Sequence, residues 1–399
     1  MDDNRTRTED GYGEERVLRD LRSLSIPRRT GRPGERAAID YLSRAYRSID
    51  LPLSVEPFEF SAFPNEIGLR AVPVALWILL LAAMWLRVDY PAIALVLFLI
   101  LFSLSIPGWR WIRAIERLYD FPFLKRRSAN LVAVLKPEHV VGRLVLMAHY
   151  DTKSQSFPIY LRMIIQTSFT VGLFGIALLY LTFSLTGLRD WILYLWLPVL
   201  LLSIPCFLIV FNFSGDESPG AVDNATGLAL LIELARNLKA AGTKGIEVVF
   251  LMTGAEEEGL AGAIRFIQGR GREYGHHNTY FVNLDGIGSP GGLILSSRYG
   301  LPPVRTGGRL EGVLTKVARE AEIPVHNRYF PVSPGLDHIP VASHGFRAVS
   351  LTGSDFGRAT FSIHTPGDLP ENVDPEVLRD GYRLLYRLVR ELEEGVSHG

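Results

Sequence analysis

Short apolar runs recur along the chain at intervals that helical segments fill. The run 246–252 is rich in β-branched and aromatic residues and is bounded by Gly245 and Gly254, which predicts a fully buried strand. Residues 130–135, 143–147, 279–284 and 348–351 predict further strands, and alternating apolar and polar positions over 54–60 predict one more. Apolar residues return at helical spacing over 14–24, 35–49, 225–241, 260–268, 312–321 and 375–394, while Pro and Gly punctuate the connector 26–34. Strand alternates with helix, so the pattern predicts an α/β domain with a largely buried sheet. Residues 1–12 show no such period and are expected to be disordered.

Four uncharged apolar runs interrupt this pattern. Residues 71–86 and 91–109 flank Arg87-Val88-Asp89-Tyr90, and each run has about 16 to 19 residues, near the lower limit of about 17 for crossing hydrocarbon. Residues 163–188 and 191–213 flank Arg189-Asp190 and have roughly 23 to 26 residues, enough to cross with some tilt. The alternative is a set of buried core helices. Read as transmembrane hairpins, 71–109 and 163–213 return every polar segment to one face of the bilayer. Around the first hairpin that face carries Arg70, Arg110, Arg113, Arg117, Lys125, Arg126 and Arg127 against Arg87 alone, and the second adds Lys153 and Arg162 against Arg189. The excess of cations predicts an integral membrane protein with its polar domain on the cytoplasmic side.

Composition narrows the chemistry. The 399 residues carry 42 basic and 42 acidic side chains, which gives no reason to expect nucleic acid as a partner. The single cysteine, Cys206, lies in an apolar run, so no disulfide forms within the chain and any metal must be held by His, Asp and Glu. The charged N-terminus has no apolar core of a secretory signal.

Candidate chemistry gathers where strands end. Beyond strand 246–252 the stretch 248–262, VVFLMTGAEEEGLAG, places Glu256 and Glu257 side by side, where open α/β sheets put their active sites. Adjacent side chains in extended backbone point apart, so the two acids are expected to hold different roles, one binding metal and one moving a proton. A solvated helix start capped by Thr253 is the alternative. Strand 143–147 runs into Ala148-His149-Tyr150-Asp151-Thr152, where His149 and Asp151 share a face if the chain stays extended, as a ligand histidine and its orienting acid would. Asp223 opens helix 225–241, either as its cap or as a carboxylate between two cations, and strand 279–284 delivers Asp285. His364 lies in the loop SIHTPGD. Together these segments supply the hard and borderline ligands of a two-metal hydrolytic site.

These motifs, in this order, resemble the zinc-dependent bacterial leucyl aminopeptidase and aminopeptidase Y family, relatives of glutamate carboxypeptidase and glutaminyl cyclase. The likeness runs from PRRTGRPGE to HTPGD and covers most of the polar chain. It implies a mixed central sheet flanked by helices, of the zinc exopeptidase type, assembled from 13–70, 110–162 and 214–399, into which the apolar runs insert about four transmembrane helices. It implies two zinc ions per chain, one held by His149 and Asp285, the other by Glu257 and His364, with Asp223 as the bridge. Glu256 matches the general base and Asp151 the acid that orients the ligand histidine. Glu258 falls at a variable position and is expected to be solvated, and His338 in GLDHIP is a candidate substrate or oxyanion contact. Two zinc ions bring four positive charges, the three acidic ligands remove three, and a bridging hydroxide would neutralise the centre.

The resemblance therefore implies a membrane-embedded aminopeptidase acting on short peptides, with glutaminyl cyclase chemistry and a non-catalytic scaffold as alternatives. Its departure from the family is the insertion 163–213 between the His149 and Asp223 segments, which places the catalytic mouth close to the bilayer surface.

Overall fold

The computed structural model describes residues 11–105, 112–113, 116–300, 302–329, 335–353 and 357–397. Eight strands form one mixed sheet: β1 (Ser54–Ser61), β2 (Lys125–Leu135), β3 (Gly142–His149), β4 (Ile246–Thr253), β5 (Thr279–Leu284), β6 (Leu293–Ser296), β7 (Val325–Asn327) and β8 (Arg347–Gly353). Their spatial order is β1-β2-β4-β3-β5-β8-β6-β7. The four central strands, β4-β3-β5-β8, are parallel, β1 pairs antiparallel with β2 and β2 with β4, and β6 pairs antiparallel with β8 but parallel with β7.

Alternation along the central strands explains why both faces of the sheet are apolar. Val248, Phe250 and Met252 of β4 join Leu144 and Leu146 of β3 in one core, whereas Val249 and Leu251 join Val145 and Met147 in the other. The first core is closed by α1 (Glu14–Leu24), α2 (Pro33–Arg47), α7 (Thr226–Ala241), α9 (Arg309–Glu320) and α12 (Pro375–Ser397). The second is closed by α8 (Ala261–Arg270) and α10 (His338–Ser343). Burial on both faces is what makes these strands continuous apolar runs in the sequence.

A separate bundle is built from α3 (Leu69–Leu86), α4 (Pro91–Ser105), α5 (Ile159–Thr186) and the helical run α6 (Arg189–Val210). Leu80, Ala83, Phe98, Leu173, Ile176 and Val199 meet inside it, and the rings of Phe98 and Tyr180 stack with centroids 3.7 Å apart. Its outer surface is also apolar: Ile78, Trp85, Leu99, Leu178, Leu197 and Phe207 are exposed. Three runs, Pro64–Leu86, Ile159–Thr186 and Arg189–Val210, are long and apolar enough to cross a membrane, and the described part of the fourth, Pro91–Ser105, is shorter.

Several elements differ from the sequence-based expectation. The end of the run 91–109 and Arg110 lie outside the described residues, as do residues 1–10 of the expected disordered tail; Tyr12, at its end, is buried against Tyr382. Strand β2 begins five residues before the predicted 130, because its first half pairs with β1. Strands β6 and β7 and helix α10 have three to six residues each, too short to show a period.

The connector between α1 and α2 locks this fold to the loops at one edge of the sheet. Arg28 is fully buried, and its guanidinium donates to the carbonyls of Leu24, Ile26, Tyr150, Pro219 and Gly220, while its N–H donates to Thr152. Burial pulls its pKa down to about 10, so it stays charged at neutral pH. Replacing it with Met leaves these carbonyls unpaired. Arg28→Met is expected to cost about 3–5 kcal/mol of stability, measured by denaturant unfolding; a loss below about 1 kcal/mol would contradict this bracing role.

Candidate metal centre

Parallel strands end on the same edge of the sheet, and that edge collects the candidate residues. His149 closes β3, Asp285 follows β5 with its N–H still bonded to the carbonyl of Leu351, and Glu256 and Glu257 follow β4. Asp223 lies in the turn Ala221–Ala225 that leads into α7, and its peptide bond to Asn224 is cis. His364 lies in the loop after the short helix α11 (Arg358–Ser362). Two non-glycine residues of the site, Ala255 and His364, hold left-handed backbone conformations with φ of 54° and 63°.

The side chains converge on the two oxygens of Asp223. Its Oδ1 is 2.9 Å from His149 Nε2, and its Oδ2 is 3.0 Å from His364 Nε2. His149 Nε2 is also 3.9 Å from Asp285 Oδ1, and His364 Nε2 is 2.7 Å from Glu257 Oε1. His149, Asp223 and Asp285 thus form one potential metal-binding group, and Asp223, Glu257 and His364 form a second. Close approach here is not hydrogen bonding: His149 Nε2 and Glu257 Oε1 are buried without a well-directed partner. Imidazole and carboxylate groups that converge this closely with buried atoms left unpartnered suit cations placed between them.

Neighbouring groups hold these residues in place. The carboxylate of Asp151 accepts the N–H groups of Glu256 (3.0 Å) and Glu257 (3.1 Å), so the loop after β3 fixes the acids after β4. Its carbonyl, rather than its carboxylate, is within hydrogen-bond reach of His149 Nδ1, at 3.0 Å against 3.8 Å. Asp368 accepts the N–H groups of Val222 (2.8 Å) and Asp223 (3.2 Å). Gly220 adopts φ +61° at the entry to this turn, where a Cβ would come within 2.4 Å of the Asp223 carbonyl. Lys153 donates to the carboxylate and the carbonyl of Glu257, each at 2.9 Å, and Asn65 donates to the same carbonyl. Sequence reasoning assigned no site role to Asp368, Lys153 or Asn65, because each acts through a contact with a residue distant along the chain.

Electrostatics divides the two glutamates. Burial and the neighbouring acids push the Glu256 carboxyl well above its ordinary value despite His149. Burial acts on Glu257 too, but His364 and Lys153 outweigh it and bring the group to about 2. Asp223 is likewise held well below its usual range by the two histidines against burial. Both histidines are raised, since the surrounding acids overcome the burial that would lower them. Burial alone sets His338 at about 3, keeping that ring neutral.

The expectation for Glu258 changes, and the alternative of a helix start at Thr253 does not hold. Glu258 is not solvated: it is 2% exposed and pairs with Arg29 (3.1 Å) and Arg126 (2.9 Å), which tie the acidic loop to the connector before α2 and to the start of β2. Nor does a helix begin at Thr253, whose hydroxyl donates to Asp337; α8 starts at Ala261. His338 is buried, with Nδ1 2.7 Å from Ser350 Oγ, and among the described residues it bonds to none of the converging groups.

The architecture is that of the zinc aminopeptidases and glutaminyl cyclases, a mixed sheet flanked by helices. An aminopeptidase from Aneurinibacillus sp. strain AM-1 superposes with a TM-score of 0.57 at 15% identity, over 94% of this chain and 93% of that one. A zinc aminopeptidase from Bacillus subtilis gives 0.57 at 14% identity over 96% of each chain. A glutaminyl cyclase from an Acidobacteriales bacterium gives 0.57 at 13% identity, over 99% of this chain and 98% of that one. In sequence, residues 201–389 match peptidase family M28. No curated protein matches the chain.

The acids that raise both histidines favour their protonated forms, which compete with a metal for the ring nitrogens. Zinc binding is therefore expected to release protons and to tighten as pH rises. Calorimetric titration in buffers of different ionisation enthalpy measures this; a binding heat independent of buffer would contradict it.

Proposed function

We propose that the protein is a membrane-embedded zinc metallopeptidase, an aminopeptidase that removes N-terminal residues from short peptides on the cytoplasmic side. The observation that carries this reading is the shared carboxylate: each oxygen of Asp223 faces its own histidine, and each histidine has its own acid, Asp285 or Glu257. One ion would take His149, Asp223 and Asp285, and the other Asp223, Glu257 and His364. Zinc there would supply Lewis-acid polarisation of the scissile carbonyl and of an attacking water. The match to peptidase family M28 over 201–389 and the zinc aminopeptidase neighbours support the choice of metal and reaction.

Glu256 is assigned the proton transfer. It is buried and takes no part in the paired groups, and the burial and neighbouring acids that raise its carboxyl make its carboxylate a stronger base than an exposed one. It removes the proton of the attacking water and returns it to the leaving amine. Asp151 holds the backbone of Glu256 and Glu257, so the base and a ligand move together. His338 is the candidate for the carbonyl oxygen: Asn283 donates to Ser350, whose own hydrogen then goes to Nδ1, leaving Nε2 as a buried donor without a partner.

The membrane reading rests on the exposed apolar surface of the α3–α6 bundle, which water would solvate poorly and lipid would cover. Glutaminyl cyclase-like acyl transfer is the second reading, favoured by the neighbours of that name. In the proposed enzyme, Glu256→Gln is expected to lower kcat by about 10²–10⁴-fold while zinc content stays at two per chain. Activity near that of the parent, or loss of a zinc ion, would contradict its role as base; metal with cyclisation and no hydrolysis would support the second reading.

A further inference from the structure

The mechanism above leaves one cation at the site without a task. Arg162 lies in the first turn of α5, and its Nη2 is 2.6 Å from Nδ1 of His364. Its Nε is buried without a partner, and among the described residues Arg162 forms no ion pair with a carboxylate. The helix turn that carries it is docked on the site: the rings of Tyr160 and Phe361 lie 3.8 Å apart, and the N–H of Gln155 donates to the carbonyl of His364.

A guanidinium has five donors and no acceptor, so one ring nitrogen satisfies little of it. That contact is also incompatible with the loaded site. When His364 gives Nε2 to a metal, the ring hydrogen sits on Nδ1, and two donors would then face each other across 2.6 Å. The guanidinium must turn off the ring, and the neighbouring acids are already committed: Asp223 and Glu257 to the ions, and Glu256 to the proton. Among the described residues no carboxylate remains free to accept from it, which leaves the guanidinium open to an acceptor on a ligand.

The geometry points to Arg162 as a specificity-determining residue that binds the free carboxylate of the substrate. This rests on the peptidase reading and names its substrate class. Extended peptide advances about 3.3–3.6 Å per residue, so a group beside a ligand histidine reaches a carboxylate one or two residues past the scissile bond. The preferred substrates are therefore di- and tripeptides with a free C-terminus, recognised by a side chain that the inserted helix α5 contributes.

The test compares leucyl-glycine with leucyl-glycinamide in the detergent-purified, zinc-loaded protein and in Arg162→Met. A charge-assisted contact is expected to favour the free dipeptide by about 10–100-fold in kcat/KM, and the variant to bring that ratio to about one. Zinc affinity, read by competition with a chelator, should stay equal or tighten in the variant, because a donor opposing His364 has gone. Equal cleavage of both substrates by the parent would overturn the proposal, as would a fall in zinc affinity with an unchanged ratio. Should the parent cleave neither, the peptidase reading fails on its own, and calorimetric binding of glycyl-glycine decides the carboxylate site: binding lost in Arg162→Met upholds it, and no binding to the parent overturns it.

Discussion

A carboxylate shared by two imidazoles governs this structure, because the charges around it cannot be buried without compensation. Asp151, Asp223, Glu256 and Glu257 are all buried at one edge of the sheet, with Asp285 beside them, and the nearby His149, His364, Lys153 and Arg162 do not pair every oxygen in good geometry. Isolated buried carboxylates are strongly disfavoured unless paired, hydrogen-bonded or bound to a metal. The surrounding scaffold can be understood as the means of holding this unfavourable cluster in place. Parallel strands deliver His149, Glu256, Glu257 and Asp285, Asp151 fixes the loop after β4, Asp368 fixes the turn of Asp223, and Arg28 ties the loop after β3 and the turn before α7 to the N-terminal helices.

The apolar bundle is joined to the same cluster at its roots. Asn65, just before α3, donates to the carbonyl of Glu257. Ser154-Gln155 and Ser214-Gly215, which flank α5 and α6, pair with each other, and Gln155 also bonds to His364. Both helical pairs therefore leave the α/β domain at the rim of the site. Packing of the bundle and geometry of the centre are coupled through a few hydrogen bonds rather than through a long path.

Much of this was legible in the chain. Strands buried on both faces are continuous apolar runs, so β3, β4, β5 and β8 were readable with their ends, and the ends are where His149, Glu256, Glu257 and Asp285 stand. What was not legible depends on contacts rather than period. Edge strands β6 and β7 are too short to show alternation, Glu258 resembles any surface acid until Arg29 and Arg126 are placed around it, and Arg162 reads as a cation flanking an apolar run until α5 brings it to His364, about two hundred residues away along the chain.

The central claim, a two-ion centre bridged by Asp223, is tested most directly by anomalous scattering from zinc-loaded crystals at the zinc edge. The account predicts two peaks of similar height, one between His149 and Asp285 and the other between Glu257 and His364, with Asp223 touching both. A single peak, or peaks that leave Asp223 outside their coordination, would contradict it.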